Sequence, residues 1–330
     1  MKNMFGKLFT YFVLLLVAVA VLFTGCGSKK EEILICTSIE DYVVEDLTAR
    51  LAEEFPEYEI TIEYLSTGNH AAKLLAEGTA TDCDITYDLE YAYLYQLAQE
   101  NILADLSGYD MNVYCEDTIE STYYIPHLRS GGAIILNTEV LEKNGLAEPT
   151  CYEDLLKPEY KNLISMPNPK SSGTGYMFLK SLVNIWGEEE AFTYFEKLTP
   201  NILQYTSSGS GPVNALSQGE VAIGFGMTAQ AVIQLNNGSP LKVMYFEEGS
   251  PYALYGQGII AGKEERACVR EVFDFLIHTY GYEYNEKFGP EKLFKDIDYS
   301  LENYPQNIQY ADMSGNTIME KERLLDKWVY

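Results

Sequence analysis

Three short stretches combine hydroxyls with glycine just ahead of a helical pattern: Ser66-Thr67-Gly68-Asn69, Ser171-Ser172-Gly173-Thr174 and Thr206-Ser207-Ser208-Gly209-Ser210-Gly211. The first turn of a helix carries unsatisfied backbone N–H groups and a partial positive charge, so it holds an anion without a cationic side chain. Glycine beside the hydroxyls leaves the backbone open to approach. Phosphate, phosphonate or carboxylate is the chemistry these residue types suit. The same residues also serve as ordinary helix caps, and that plainer role stands beside the first. Pro212 fits the first helical turn and fixes the third helix start.

Arg129, in Leu128-Arg129-Ser130-Gly131-Gly132, is placed either to clamp an anion with its guanidinium or to make a surface ion pair. His70 offers a proton-dependent contact or an ordinary surface position, and Lys170 is equally open. With Ser38 after the first strand and Thr228 late in the chain, the candidate ligand-binding set is Ser38, Ser66, Thr67, Gly68, Arg129, Ser171, Ser172, Gly173, Thr174, Ser207, Ser208, Gly209 and Thr228. A cationic ligand such as thiamine or a polyamine would instead want carboxylates with aromatics, which Asp88, Glu90 and Tyr87 supply. Ferric ion favours anionic oxygen donors, and the chain has 27 tyrosines, Tyr123-Tyr124 among them.

Signals for catalysis are thin. There is no Walker motif and no serine elbow, and only His70, His127 and His278 are available as imidazole bases. Neither enzyme activity, a cofactor nor a resident metal is expected, although a surface hydrolase or a sensor ectodomain remains the alternative of another class. Cys36, Cys83, Cys115, Cys151 and Cys268 are odd in number and lack zinc spacing; no disulfide is assigned, and Cys36 reads as a packed thiol.

The elements that must position these residues alternate. Strands are predicted at 33–36, 57–64 and 83–87, interleaved with helices at 39–55, 69–76 and 89–99. The alternation resumes with strands at 132–136, 221–225 and 256–261 and helices at 175–183 and 266–279. Such a rhythm implies an α/β fold with a largely parallel sheet covered on both faces, and no fixed repeat suggests a solenoid.

At the N-terminus, Lys2 and Lys7 precede an apolar run from Leu8 to Phe23, followed by Thr24-Gly25-Cys26. This pattern reads as a secretory signal over 1–25. It resembles the bacterial lipobox, whose cysteine is lipidated, with Phe23 standing where leucine is usual; an uncleaved anchor is the alternative. Residues 26–32 then form a short lipid-anchored tether, and the body is expected outside the cytoplasmic membrane. Two of the 23 basic residues fall in the signal, leaving 21 against 49 acids, a balance of −28. A body this acidic repels nucleic acid and anionic lipid.

Leu65-Ser66-Thr67-Gly68, the helix ending Ala76-Glu77, Asp82-Cys83-Asp84-Ile85, the loop Asn168 to Tyr176 and Ser217-Gln218-Gly219-Glu220-Val221-Ala222-Ile223-Gly224 together resemble bacterial solute-binding receptors of ABC importers. The subgroup is the one that binds ferric ion, thiamine or sugar phosphates. The resemblance implies a two-lobed, type II periplasmic-binding-protein-like fold, each lobe a mixed sheet flanked by helices with the ligand cleft at the hinge. It implies lobe one over 33–130, lobe two over 131–250 and a return to lobe one with C-terminal helices over 251–330. It also implies a monomer that delivers a small-molecule solute to a permease and its ATPase. The paired tyrosines of iron-binding relatives follow the third loop, where this chain reads Gly224 to Gln230 without tyrosine. A small anionic, phosphorylated or phosphonate-like solute is therefore the expected ligand.

Overall fold

The computed structural model describes residues 30–297 and 301–330. The signal, Cys26 and most of the tether lie outside the described residues. The strands are β1 (Glu32–Thr37), β2 (Glu59–Tyr64), β3 (Ile85–Glu90), β4 (Ile125–Asn137), β5 (Ile164–Pro167), β6 (Ile202–Thr206), β7 (Ile223–Met227), β8 (Leu241–Met244) and β9 (Tyr252–Ile259). The helices are α1 (Asp41–Glu54), α2 (Thr67–Glu77), α3 (Tyr91–Gln99), α4 (Thr138–Lys143), α5 (Gly173–Trp186), α6 (Glu188–Leu198), α7 (Gly211–Ser217), α8 (Thr228–Asn236), α9 (Ala267–Phe275), α10 (Gly281–Lys287) and α11 (Ile318–Lys327).

Two sheets share one strand. β1 runs parallel to β2 and β3, and β9 pairs antiparallel with β3. β4 pairs with β9 through Ile125–Gly131, then changes partners and pairs with β7 from Gly132 and with β8 from Ile134. β5 joins β7 to β6, parallel to both. The expectation of a largely parallel sheet is thus corrected: β4, β8 and β9 bring antiparallel pairing into both halves.

Alternation along the strands builds the cores. Ile33 and Ile35 of β1 enter one apolar cluster with Val43, Leu47 and Leu51 of α1, while Leu34 and Cys36 face another with Ala71 and Leu74 of α2. In β4, Ile134 and Leu136 meet Phe178 and Phe225, whereas Ala133 and Ile135 meet Val213 and Leu216 of α7. Period-two side chains therefore cover both faces of both sheets. Fully burying one such leucine or phenylalanine contributes about 1.5–3 kcal/mol.

Several element boundaries move from the sequence expectation. β3 continues to Glu90, so α3 begins only at Tyr91, and the long helix expected over 266–279 passes into a wider π turn at Leu276–Tyr280. β4 is much longer than the expected 132–136, so Arg129 sits inside a strand. At the end of the chain, Leu324 and Trp328 pack with Phe195 in the cluster beneath the second sheet.

Candidate ligand cleft

The carboxyl ends of the parallel strands face one another across the junction of the sheets. Ser38 and Glu40 follow β1, Ser66 and Thr67 follow β2, and Asp88 lies near the end of β3. From the other side come Ser171–Thr174 after β5, Ser207–Gly209 after β6, and Met227 at the end of β7. Open α/β sheets leave such a crevice outside their strand ends. Here it encloses about 700 Å³, counting space open to solvent. The two sides approach closely, since a Cβ added to Gly68 would lie 3.1 Å from the Lys170 carbonyl oxygen.

All members of the candidate set line this cleft except Gly68 and Thr228. Gly68 packs against the Lys170 backbone, and Thr228 is buried with its hydroxyl 3.1 Å from that of Tyr245. The loop hydroxyls differ in freedom. Ser66 caps α2 by position but spends no side-chain hydrogen bond on it. Ser172 accepts from the Gly175 N–H at 3.4 Å, and Ser38 donates to the Asp88 carbonyl. Gly175 itself must be glycine, because a Cβ there would meet the Pro167 carbonyl and lie 2.8 Å from backbone atoms of Asn168 and Pro169. That close approach folds the loop over the start of α5.

Arg129 lines the cleft but is engaged. Its Nη2 donates to Asp117 at 2.5 Å, and its guanidinium lies 5.7 and 5.8 Å from the ring centres of Tyr252 and Tyr310. Burial opposes its charge, yet Asp117 holds its pKa above the ordinary value. His70 is neither exposed nor in the cleft. It is buried 3.1 Å from the Thr86 hydroxyl, and desolvation lowers its pKa to about 3. Lys170 is exposed beside the cleft, its backbone N–H donating to Asn168 Oδ1 at 2.9 Å.

Three carboxylates in the cleft were absent from the candidate set. Burial raises Glu40 to about 7, while Ser210 donors pull it back. Burial and the neighbouring Glu40 charge raise Asp88 to about 8. Glu291 is satisfied, accepting from the Gly131 N–H at 2.7 Å, the Tyr304 hydroxyl at 2.9 Å and the Tyr310 hydroxyl. Asp88 had been singled out with Glu90 and Tyr87 for a cation, but only Asp88 reaches the cleft. Glu90 is paired with Lys321, and Tyr87 is wholly buried. A signal for Asp88 existed in its position at the end of a buried strand; Glu291 lies in an aperiodic segment and gave none.

Tyr42, Tyr64, Tyr255 and Tyr284 also reach the cleft, whereas Tyr124 packs edge-on against Tyr91. Burial and the acids raise these cleft phenols, Tyr64 to about 12, away from the phenolate that ferric ion prefers. Among the described residues, no cluster of His, Cys, Asp and Glu has a metal-holding arrangement. No helix among them is long and apolar enough to cross a membrane.

Residues 46–287 match the family described as bacterial extracellular solute-binding protein. An uncharacterized protein of Haemophilus influenzae is 26% identical over 341 residues, covering 95% of this chain and 94% of its own. A spermidine/putrescine-binding periplasmic protein of Salmonella typhimurium is 26% identical over 161 residues, which are 47% of this chain and 44% of that protein. The periplasmic binding protein AfuA of Actinobacillus pleuropneumoniae, solved with fructose-6-phosphate bound, superposes with a TM-score of 0.79 at 24% identity. That superposition covers 91% of this chain and 98% of the other, and at this identity it speaks to the fold.

Proposed function

This chain belongs to the bacterial extracellular solute-binding proteins, and as a receptor of an ABC importer we propose that it captures a small phosphorylated or phosphonate-bearing solute. The observation that carries this reading is the meeting, in one cleft, of the hydroxyl-rich starts of α2 and α5 with the guanidinium of Arg129. Two helix N-termini supply backbone donors and partial positive charge to one anion. A sugar-phosphate-bound relative of the same fold is consistent with this solute class. The lobes, taken as 33–130 with 251–317 against 131–250 with the C-terminal helix, close about β4 over the solute and present it to the permease. Lipidation at Cys26 tethers this body to the outer face of the cell membrane.

A second reading rests on the acids in the cleft, which suit a polyamine, the ligand class of one relative. A thermal-shift panel of sugar phosphates, alkylphosphonates, thiamine phosphates, polyamines and ferric ion separates the readings. A ligand that binds only the folded state raises the melting temperature by mass action. A selective rise with phosphorylated solutes is expected; a rise only with polyamines or only with ferric ion overturns the anion reading.

A further inference from the structure

The last helix is fastened to one half of the molecule and reaches into the other. Leu324 and Trp328 are wholly buried, and the Trp328 ring packs edge-on against Phe195 of α6 with centres 5.1 Å apart. Ion pairs add to that hold: Glu320 lies 3.6 Å from Lys180 of α5, while Arg323, at 2.6 Å, and Lys327 both meet Glu188 at the start of α6. Residues of α5 and α6 pack with β5 and β7 in one apolar cluster, so α11 is fixed to the half built on the second sheet.

Lys321 points away from that anchorage. Its ammonium meets Glu90 at the end of β3, in the first sheet, and Asn316 Nδ2 donates to the other oxygen of the same carboxylate at 3.2 Å. The ammonium also lies over two rings, Tyr93 of α3 and Tyr176 of α5. Leu94 and Leu97 place α3 in the apolar cluster of the first sheet, so the two rings come from opposite halves. A Cβ on Gly173, in the cleft loop at the start of α5, would lie 3.5 Å from the Glu90 carboxylate. The pair therefore sits directly behind that loop.

In front of it the halves are in contact. Gly68 meets the Lys170 backbone, and a Cβ on Gly209 would come within 2.8 Å of Glu40 Oε1. Parting the halves must draw Glu90 and Tyr93 away from Lys321 and Tyr176. Each buried charge then loses its partner before water replaces it, and the ammonium loses one of its two rings. Resting on the lobe closure proposed above but on no particular solute, we propose that the Lys321–Glu90 pair is an interlobe latch that biases the solute-free receptor toward its closed arrangement. Such a bias strengthens binding by the closed population it adds, and it slows entry and release.

Hydrogen–deuterium exchange on the purified full-length protein, without added solute, tests the latch. The segments read are 38–44 and 64–70, across the cleft from Gly209 and Lys170, and strands β1 and β7 serve as the reference. Lys321→Met and Glu90→Gln should each speed exchange in both cleft segments about fivefold or more relative to the strands. The double variant strands neither charge, so it should melt near the parent and still exchange fast at the cleft. Arg323→Ala, which cuts ion pairs of α11 within its own half, should leave the cleft segments within about twofold of the parent. Unchanged cleft exchange in the double variant overturns the latch, as does a rise spread evenly over cleft and strands. An equal rise in Arg323→Ala overturns the assignment to this pair. Fructose-6-phosphate, a probe of the proposed solute class, should restore protection to the double variant; if it does not while the other outcomes hold, the solute reading fails and the latch stands.

Discussion

Lys321, on the last helix, sets its ammonium against the carboxylate of Glu90 at the end of β3, and each side chain is only 2% exposed. The ammonium also lies 4.4 Å from the centre of the Tyr93 ring and 4.3 Å from that of Tyr176. Desolvation pulls the lysine pKa down, and Glu90 resists that pull. Removing one partner of such a pair strands the other charge, at about 3–5 kcal/mol. Glu90→Gln and Lys321→Met should each lower stability by that amount in urea unfolding. The double variant should recover most of the loss; if it is as unstable as the sum of the singles, the pair is not coupled.

The acids of the cleft and the two buried histidines give opposing pH effects. Asp88 and Glu40 have folded values near 8 and 7, above the ordinary 3.8 and 4.5, so between about pH 4 and 8 the folded chain binds more protons than the unfolded one. Stability from these groups is full below pH 4 and falls as pH rises through that window. His70 and His127 are both lowered to about 3 by desolvation, so they bind more protons when unfolded, and their contribution falls as pH drops from 6.5 toward 3. Without ligand, Asp88→Asn should therefore melt higher than the parent at pH 8, and the gap should close by pH 4. A gap independent of pH would show that Asp88 ionises normally.

The contact of Arg129 with Asp117 leaves the guanidinium a choice of partners. Arg129→Ala is expected to weaken an alkylphosphonate by roughly 2–5 kcal/mol, the range for truncating one partner of a desolvated charged pair. Asp117→Asn releases Nη2 and should leave that affinity equal or better. Calorimetry on both variants decides the matter, and an unchanged affinity in Arg129→Ala removes the residue from ligand binding.

Gly175 admits no side chain, because its neighbours are the backbone of Pro167, Asn168 and Pro169 rather than movable side-chain ends. Gly175→Ala should destabilise by about 1–3 kcal/mol through overpacking. Displacing that loop should also weaken ligand binding. Stability and affinity both equal to the parent would mean that the loop is free to move aside.

Much of the cleft was legible because hydroxyl-and-glycine loops at helix starts carry a local signal. Ser66, Thr67, Ser171 to Thr174 and Ser207 to Gly209 come together as that signal suggested. Gly68 sits in the first of these stretches but packs against the Lys170 backbone, and Thr228, which follows β7, turns its hydroxyl to Tyr245; sequence spacing resolves neither. β1, β3 and α5 were readable from apolar runs, whereas Pro126, Arg129 and Gly131-Gly132 hid the first half of β4. The three short strands β5, β6 and β8 passed unassigned, since four or five residues hold too little periodicity. Glu291 and Lys321 were invisible for another reason: their partners, at Gly131 and Glu90, lie 160 and 231 positions away.

β4 changes neighbours at Gly131-Gly132, where the Gly132 N–H is given to the Pro251 carbonyl and Gly131 is pinned by Glu291. The halves of the molecule are therefore joined by a strand that is woven into both, not hung between them by a slack linker. If the halves close as proposed, it is this shared strand that twists, as a torsion spring does. Two glycines at the point of twist let that spring be soft, and the carboxylate of Glu291 on the first of them acts as its detent.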